Sequence, residues 1–303
     1  MKKLFFELMQ VGMGQLDCLS RGPSPEEWRE LYELSQREAV AGICYQGAVA
    51  LFEFGLRAPQ DLIIDWMAEA EDIREHSETI CAQLADYQNQ LDKKGIRSTI
   101  LSGEALVSYY GEAQGYLRES TAIDVIVSNK ASATVPSGME VNLYDTVWAG
   151  HNSIRNIRLE KWMLENADLL YQRQGGLTLP APTMHAVLYV AYLYNRLLSS
   201  DLSMRDLMDY FYILHAANGH FEPFYGKNST VESVFSHLRL LRFARGVMWL
   251  MQQVFGMKGD CLPVEPLESE GRFLLSAVLL DYKVLSHWGH LLMHYSWYDL
   301  IKS

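Results

Sequence analysis

The sequence predicts an α+β protein that is predominantly helical, with a small mixed β-sheet in the middle of the chain. Two observations carry this. Helical hydrophobic spacing runs through roughly the first ninety and the last hundred and twenty residues, and between them the period drops to two. A strand, a loop, a helix and a further strand follow one another there, an order that suits a compact mixed sheet flanked by helical wings.

From Leu4 the pattern is helical, with breaks at "SRGPSPEEW" and "FGLRAPQDL". Ser24, Pro25, Glu26 and Glu27 supply an N-cap, a first-turn proline and acids at the positive end of a helix, and Pro59 to Asp61 repeat this less cleanly. The run beginning "IIDWMAEAED" keeps helical spacing for about thirty residues and stops at Lys93, Lys94 and Gly95, as a helix C-terminus should. "IRSTIL" (96–101), "AIDVIV" (122–127) and "MEVNLYD" (139–145) then read as strands, with "GEALVSYYGEA" as a helix between the first two. Long helical periodicity returns from Thr183, broken near 219–228 and at "GMKGDCLPVEPLE", and nothing recurs at a fixed period. The expected organisation is an N-terminal helical region (1–94), an α/β core (95–178) and a C-terminal helical region (179–303).

Composition narrows the function classes. The 303 residues carry 26 basic and 37 acidic side chains, a formal charge of −11 that repels a nucleic-acid backbone, so nucleic acid is disfavoured as a partner. Arg239, Arg242 and Arg245 recur every third residue and suggest one basic helical stripe, read as a solvated face before an anion site. Four scattered cysteines form neither a zinc pattern nor a disulfide framework and fit a reducing cytoplasm. No apolar run reaches the ~20 residues of a membrane helix, and Glu7 and Gln10 interrupt the apolar N-terminus, which therefore reads as an amphipathic helix.

"ILSGEALVSYY", "YLRESTAIDVIV" and "MEVNLYD" together resemble a nucleotidyltransferase family common in gut Bacteroidetes. That family runs L-K-G at a strand end, then a helix, an arginine, D-I-D in one strand and a glutamate in a later one. "SMRDLMDYFYIL" is similar to its G-L-R-Q-x-x-D helix, with Arg205 and Asp209 in matching places, and the N-terminal helices share its arrangement. The resemblance implies a nucleotidyltransferase-like sheet and a Mg²⁺-dependent transfer of a nucleoside monophosphate from a triphosphate to a hydroxyl-bearing acceptor. Such chemistry needs two or three convergent carboxylates to neutralise the triphosphate, and D-x-D in a strand aims two of them at one face.

Measured against that pattern, the chain is a degenerate member. Ala122 stands at the first aspartate, Asp124 at the second and Glu140 at the third, so Asp124 and Glu140 are the expected remnant catalytic and Mg²⁺-binding pair. Ser102 replaces the loop lysine beside Gly103, Glu104 opposes a triphosphate there, and only about a dozen residues separate Val127 from Glu140. Ser102, Gly103 and Arg118 are the expected nucleotide contacts. Arg118 has Glu119 or Asp124 as alternative partners, and Asp124 otherwise serves as a sheet-edge carboxylate accepting from the Ser102–Gly103 loop. The expected function is a catalytically incomplete protein that binds a nucleoside triphosphate or a protein partner; the alternatives are an active Mg²⁺-dependent transferase and a helical interaction module on the same scaffold.

Three further groups are weighed. His287, His290 and His294 share a helix face compatible with metal, though their aromatic and leucine neighbours suggest packing. His185 reads as a satisfied core histidine. Arg205 and Asp209, four apart, are expected to bridge each other or tie the C-terminal helices to the sheet.

Overall fold

The computed structural model describes residues 1–111, 114–120, 122–174 and 176–279. The protein is α+β and mostly helical, as the hydrophobic periods require. Four helices open it: α1 (Lys2–Gly12), α2 (Pro25–Arg37), α3 (Ala41–Ala50) and the 34-residue α4 (Gln60–Lys93). α2 begins with a full capping box, in which the Ser24 side chain accepts from Glu27 N–H and the Glu27 carboxylate accepts from Ser24 N–H. α4 stops where the cations and Gly95 (φ +71°) sit. The crossing of α1 and α3 depends on absent side chains, since a Cβ on Gly12 would lie 2.1 Å from the Ile43 carbonyl oxygen, and one on Gly47 would lie 2.5 Å from that of Leu8.

Next come β1 (Ser98–Ile100), a 3₁₀ turn at Glu104–Leu106, α5 (Val107–Tyr110), β2 (Ile123–Val127) and β3 (Val141–Tyr144). β2 is central, antiparallel to β1 and parallel to β3, so the three-stranded sheet is mixed. Of the helix expected over "GEALVSYYGEA", the described residues form the 3₁₀ turn and one short α-helix, bounded by Gly103 and Gly111 at positive φ. Asp124 is also not at a sheet edge, because β2 has a neighbour on each side. Every residue of β2 is buried, which explains its continuous apolar run.

The chain continues through α6 (Ser153–Glu165), α7 (Ala167–Leu170) and a hairpin of β4 (Gln172–Gln174) and β5 (Leu177–Leu179). This hairpin was not foreseen, although "QGG" between short runs carried a two-residue turn signal. The remaining elements are α8 (Pro182–Ser199), α9 (Met204–Ala217), α10 (Val231–His237), α11 (Leu241–Gln253) and α12 (Glu268–Leu279). The arginine stripe dissolves here. Arg239 lies between α10 and α11 at φ +55°, and Arg242 and Arg245 donate to Glu270 and to the Glu265 carbonyl. His287, His290 and His294 lie outside the described residues.

Two cores hold the elements together. The larger gathers α1 to α3 with α8 to α12, from Leu4 to Ala277, and joins both helical wings in one apolar body. The smaller lies under the sheet, where Ile123, Val125 and Val127 of β2 meet Leu84, Tyr87 and Leu91 of α4. α4 enters both, through Leu62 and Trp66 at one end and through these three residues at the other. Among the described residues, no helix is long and apolar enough to cross a membrane.

Candidate functional site

The opposite face of β2 carries the site. Strand alternation puts Ala122, Asp124 and Ile126 on one side, and the parallel register sets Asp124 beside Asn142 and Ile126 beside Tyr144. Ala122, Asp124, Asn142 and Tyr144 form one wall of a cleft of about 360 Å³. Tyr192, Asn195, Arg196 and Ser199 of α8, with Asp201 and Arg205, form the other, and Trp148, 57% exposed, completes the lining.

Asp124 is 6% exposed, and both its oxygens are engaged. Ser102 Oγ donates to Oδ2, while Asn142 Nδ2 (3.1 Å) and Tyr144 Oη (3.0 Å) donate to Oδ1. Burial, with Asp124 alongside, pushes the Tyr144 phenol above its ordinary value, so it keeps the proton it donates. The loop that brings Ser102 here is pinned by backbone and side chain alike. Leu101 N–H donates to the Asp124 carbonyl at 2.8 Å, and His185 Nε2 lies 2.8 Å from the Leu101 carbonyl. His185 is wholly buried, with burial drawing it down to about 4, and acts as the satisfied core histidine its apolar surroundings suggested. Gly103 is needed at this turn, since its φ is +96° and a Cβ there would press on Ile123 at 3.0 to 3.2 Å.

The other expected residues are placed differently. Glu140 precedes β3, is exposed, and lies outside the cleft lining; its carbonyl, not its carboxylate, is engaged, accepting from Ile123 N–H at 2.8 Å. The side chain paired with Asp124 on the neighbouring strand is the carboxamide of Asn142. Arg118, 1% exposed, points into the protein. It grips Asp209 with two bonds of 2.7 and 2.8 Å, and its Nη1 reaches Glu104 Oε1 at 3.3 Å and the Glu119 carbonyl at 3.1 Å. Its carboxylate partners are therefore Asp209 and Glu104, and neither the Glu119 carboxylate nor Asp124. Glu104 is buried beside it, bonded also by Ser120 Oγ.

Arg205 and Asp209 do not bridge each other. Asp209 accepts from Arg118, Tyr110 (2.6 Å) and Tyr189 (3.0 Å), so it does tie α9 to the segment leading into β2. Arg205 instead donates to Asp206 at 2.8 Å and lines the cleft. A Mg²⁺ centre does not fit this donor set. Of the two acids lining the cleft, Asp124 has both oxygens occupied by protein donors and Asp201 comes from the opposite wall; among the described residues, no group of three or more His, Cys, Asp or Glu is placed to hold a metal. Asn142, Tyr144, Tyr192 and Arg196 escaped sequence reasoning because distant segments bring them together and no motif marks them.

No curated protein and no solved structure matches the chain. Residues 24–142, from the α2 cap to the partner of Asp124 on β3, match the model of a family described as an uncharacterised nucleotidyltransferase. Arg205 and Asp209 lie beyond that match, so their likeness rests on the residues alone, and Arg196 lies beyond it as well. The matched stretch, which includes the strand carrying Asp124, is similar to the nucleotidyltransferase family.

Proposed function

We propose that the protein holds a nucleotide in this cleft without transferring it. One observation carries the reading: Asp124, the acid that stands where the family has the second of a D-x-D pair, is engaged at both oxygens by Ser102, Asn142 and Tyr144. Metal-assisted transfer needs carboxylate oxygens free to meet the ion, and here hydrogen-bond donors take that place. Ala122 and Asn142 supply no further charge on the same face. Trp148 offers an exposed ring at the cleft for a base, and Asn195, Ser199 and the two arginines offer polar contacts for sugar and phosphate.

Calorimetric titration with ATP, GTP, CTP and UTP, in Mg²⁺ and again in EDTA, tests this. Binding of at least one nucleotide with similar affinity in both buffers is expected, with no pyrophosphate released in the presence of hydroxyl-bearing acceptors. Absence of binding by all four overturns the reading. Mg²⁺-dependent release of pyrophosphate would establish an active transferase in its place.

A further inference from the structure

We infer that Arg196 and Arg205 form a seat for a phosphoryl group on the helical wall of the cleft, engaging it without a divalent ion. This deepens the nucleotide reading by assigning the phosphate end of the ligand, and it rests on side chains outside the stretch that matches the nucleotidyltransferase family.

Asp206 organises the seat. It is 1% exposed; its Oδ1 accepts from Arg205 Nη2 at 2.8 Å, and its Oδ2 from Arg196 Nε at 3.4 Å and from Ser203 N–H and Oγ at 3.1 Å. One buried carboxylate thus holds two guanidinium groups side by side. Arg205 is only 4% exposed, and its Nε has no hydrogen-bond partner. A guanidinium has five N–H donors, and a buried one left short of acceptors is costly, so Arg205 is held at the cleft with donor capacity that its protein neighbours do not fill. Arg196 is braced from the far side, where its Nη2 donates to the Asp201 carbonyl at 2.6 Å.

Burial is the largest influence on both arginines and works against their charge, but Asp206 acting together with Tyr192 and Asp201 at Arg196, and together with Asp209 at Arg205, holds both above their ordinary values. They remain cationic at any working pH. Two adjacent planar forks suit the several oxygens of a tetrahedral phosphoryl group. The opposing charges in the cleft are blunted. Asp201 has a largely exposed side chain 3.8 Å from Arg196, and Asp124 is covered by three donors.

Inorganic pyrophosphate in EDTA is the direct probe, titrated calorimetrically against the full chain and against Arg205→Lys and Arg196→Gln. Lysine keeps the charge on Asp206 and loses the fork. Metal-free binding that weakens about tenfold or more in each variant, at an unchanged melting temperature, is the expected result. No pyrophosphate binding, binding only with Mg²⁺, or equal binding by the variants overturns the seat. Should Arg205→Lys melt early, Arg196→Gln decides alone, because Arg196 is partly exposed. The two readings separate cleanly. Nucleotide binding indifferent to both variants sinks the seat and leaves the nucleotide reading, whereas variant-sensitive pyrophosphate binding with none of the four nucleotides bound does the reverse.

Discussion

Three hydrogen-bond donors around one carboxylate decide what Asp124 can do. An ionised carboxylate offers about four lone-pair positions, and Ser102, Asn142 and Tyr144 occupy three of them. Building a metal site here therefore takes more than one added acid. Ala122→Asp alone is expected to leave Mn²⁺ binding undetectable by electron paramagnetic resonance. Ala122→Asp combined with Asn142→Asp removes one donor and adds two charges on the same face, and should raise Mn²⁺ affinity by at least about tenfold; an inert double variant would mean that the cleft as a whole does not admit the ion. The sequence made half of this legible. Alternation within a strand shows that residues 122 and 124 share a face, but no local signal shows which residue of "MEVNLYD" lies beside Asp124. That is set by pairing between separate strands, where Asn142 takes the place expected of Glu140.

Among the elements, α4 is the longest that enters both cores. Its 34 residues extend about 50 Å, with Leu62 and Trp66 in the larger core and Leu84, Tyr87 and Leu91 under the sheet. The stretch between them is largely exposed, and Arg74 meets Glu71 and Glu78 along its surface. Glu75→Pro, at an exposed position in this stretch, should cost about 3 kcal/mol or more and split thermal unfolding into two calorimetric transitions, the sheet core melting first. A single transition at nearly the original temperature would show that the cores are coupled elsewhere. Helix starts were readable from Ser24 and Pro59 because caps are local chemistry. The β4–β5 hairpin was harder to read, since strands of three residues are too short for alternation to declare itself.

For the whole molecule, pH sums over groups that burial shifts in opposite directions. Burial lifts Glu119 to about 7, although its Oε1 accepts from Ala41 N–H at 2.8 Å. Its pKa is thus higher folded than unfolded, so the folded state binds more protons between about 4.5 and 7 and stability falls as pH rises through that window. His185, drawn down to about 4, acts oppositely, and its contribution is lost as pH falls from about 6.5 towards 4. Glu119→Gln keeps an acceptor for Ala41 N–H and removes the titration. In urea unfolding at pH 8 it should be more stable than the parent by roughly 2 kcal/mol, allowing for the partial exposure of Glu119, with the advantage gone at pH 4.5. An unchanged difference across that range would exclude Glu119 as the source.

The Arg118–Asp209 pair has a consequence in time as well as in energy. Its partners are 91 residues apart, so closing it carries a loop entropy cost, and both ions must shed water before they meet in a site 0 to 1% exposed. A contact of that kind belongs among the last to form. Interactions absent from the folding transition state slow escape from the native basin while leaving the rate of entry nearly untouched. The pair should therefore act as a latch: once α9 has engaged the segment ahead of β2, release requires separating two buried charges, and that step should slow unfolding.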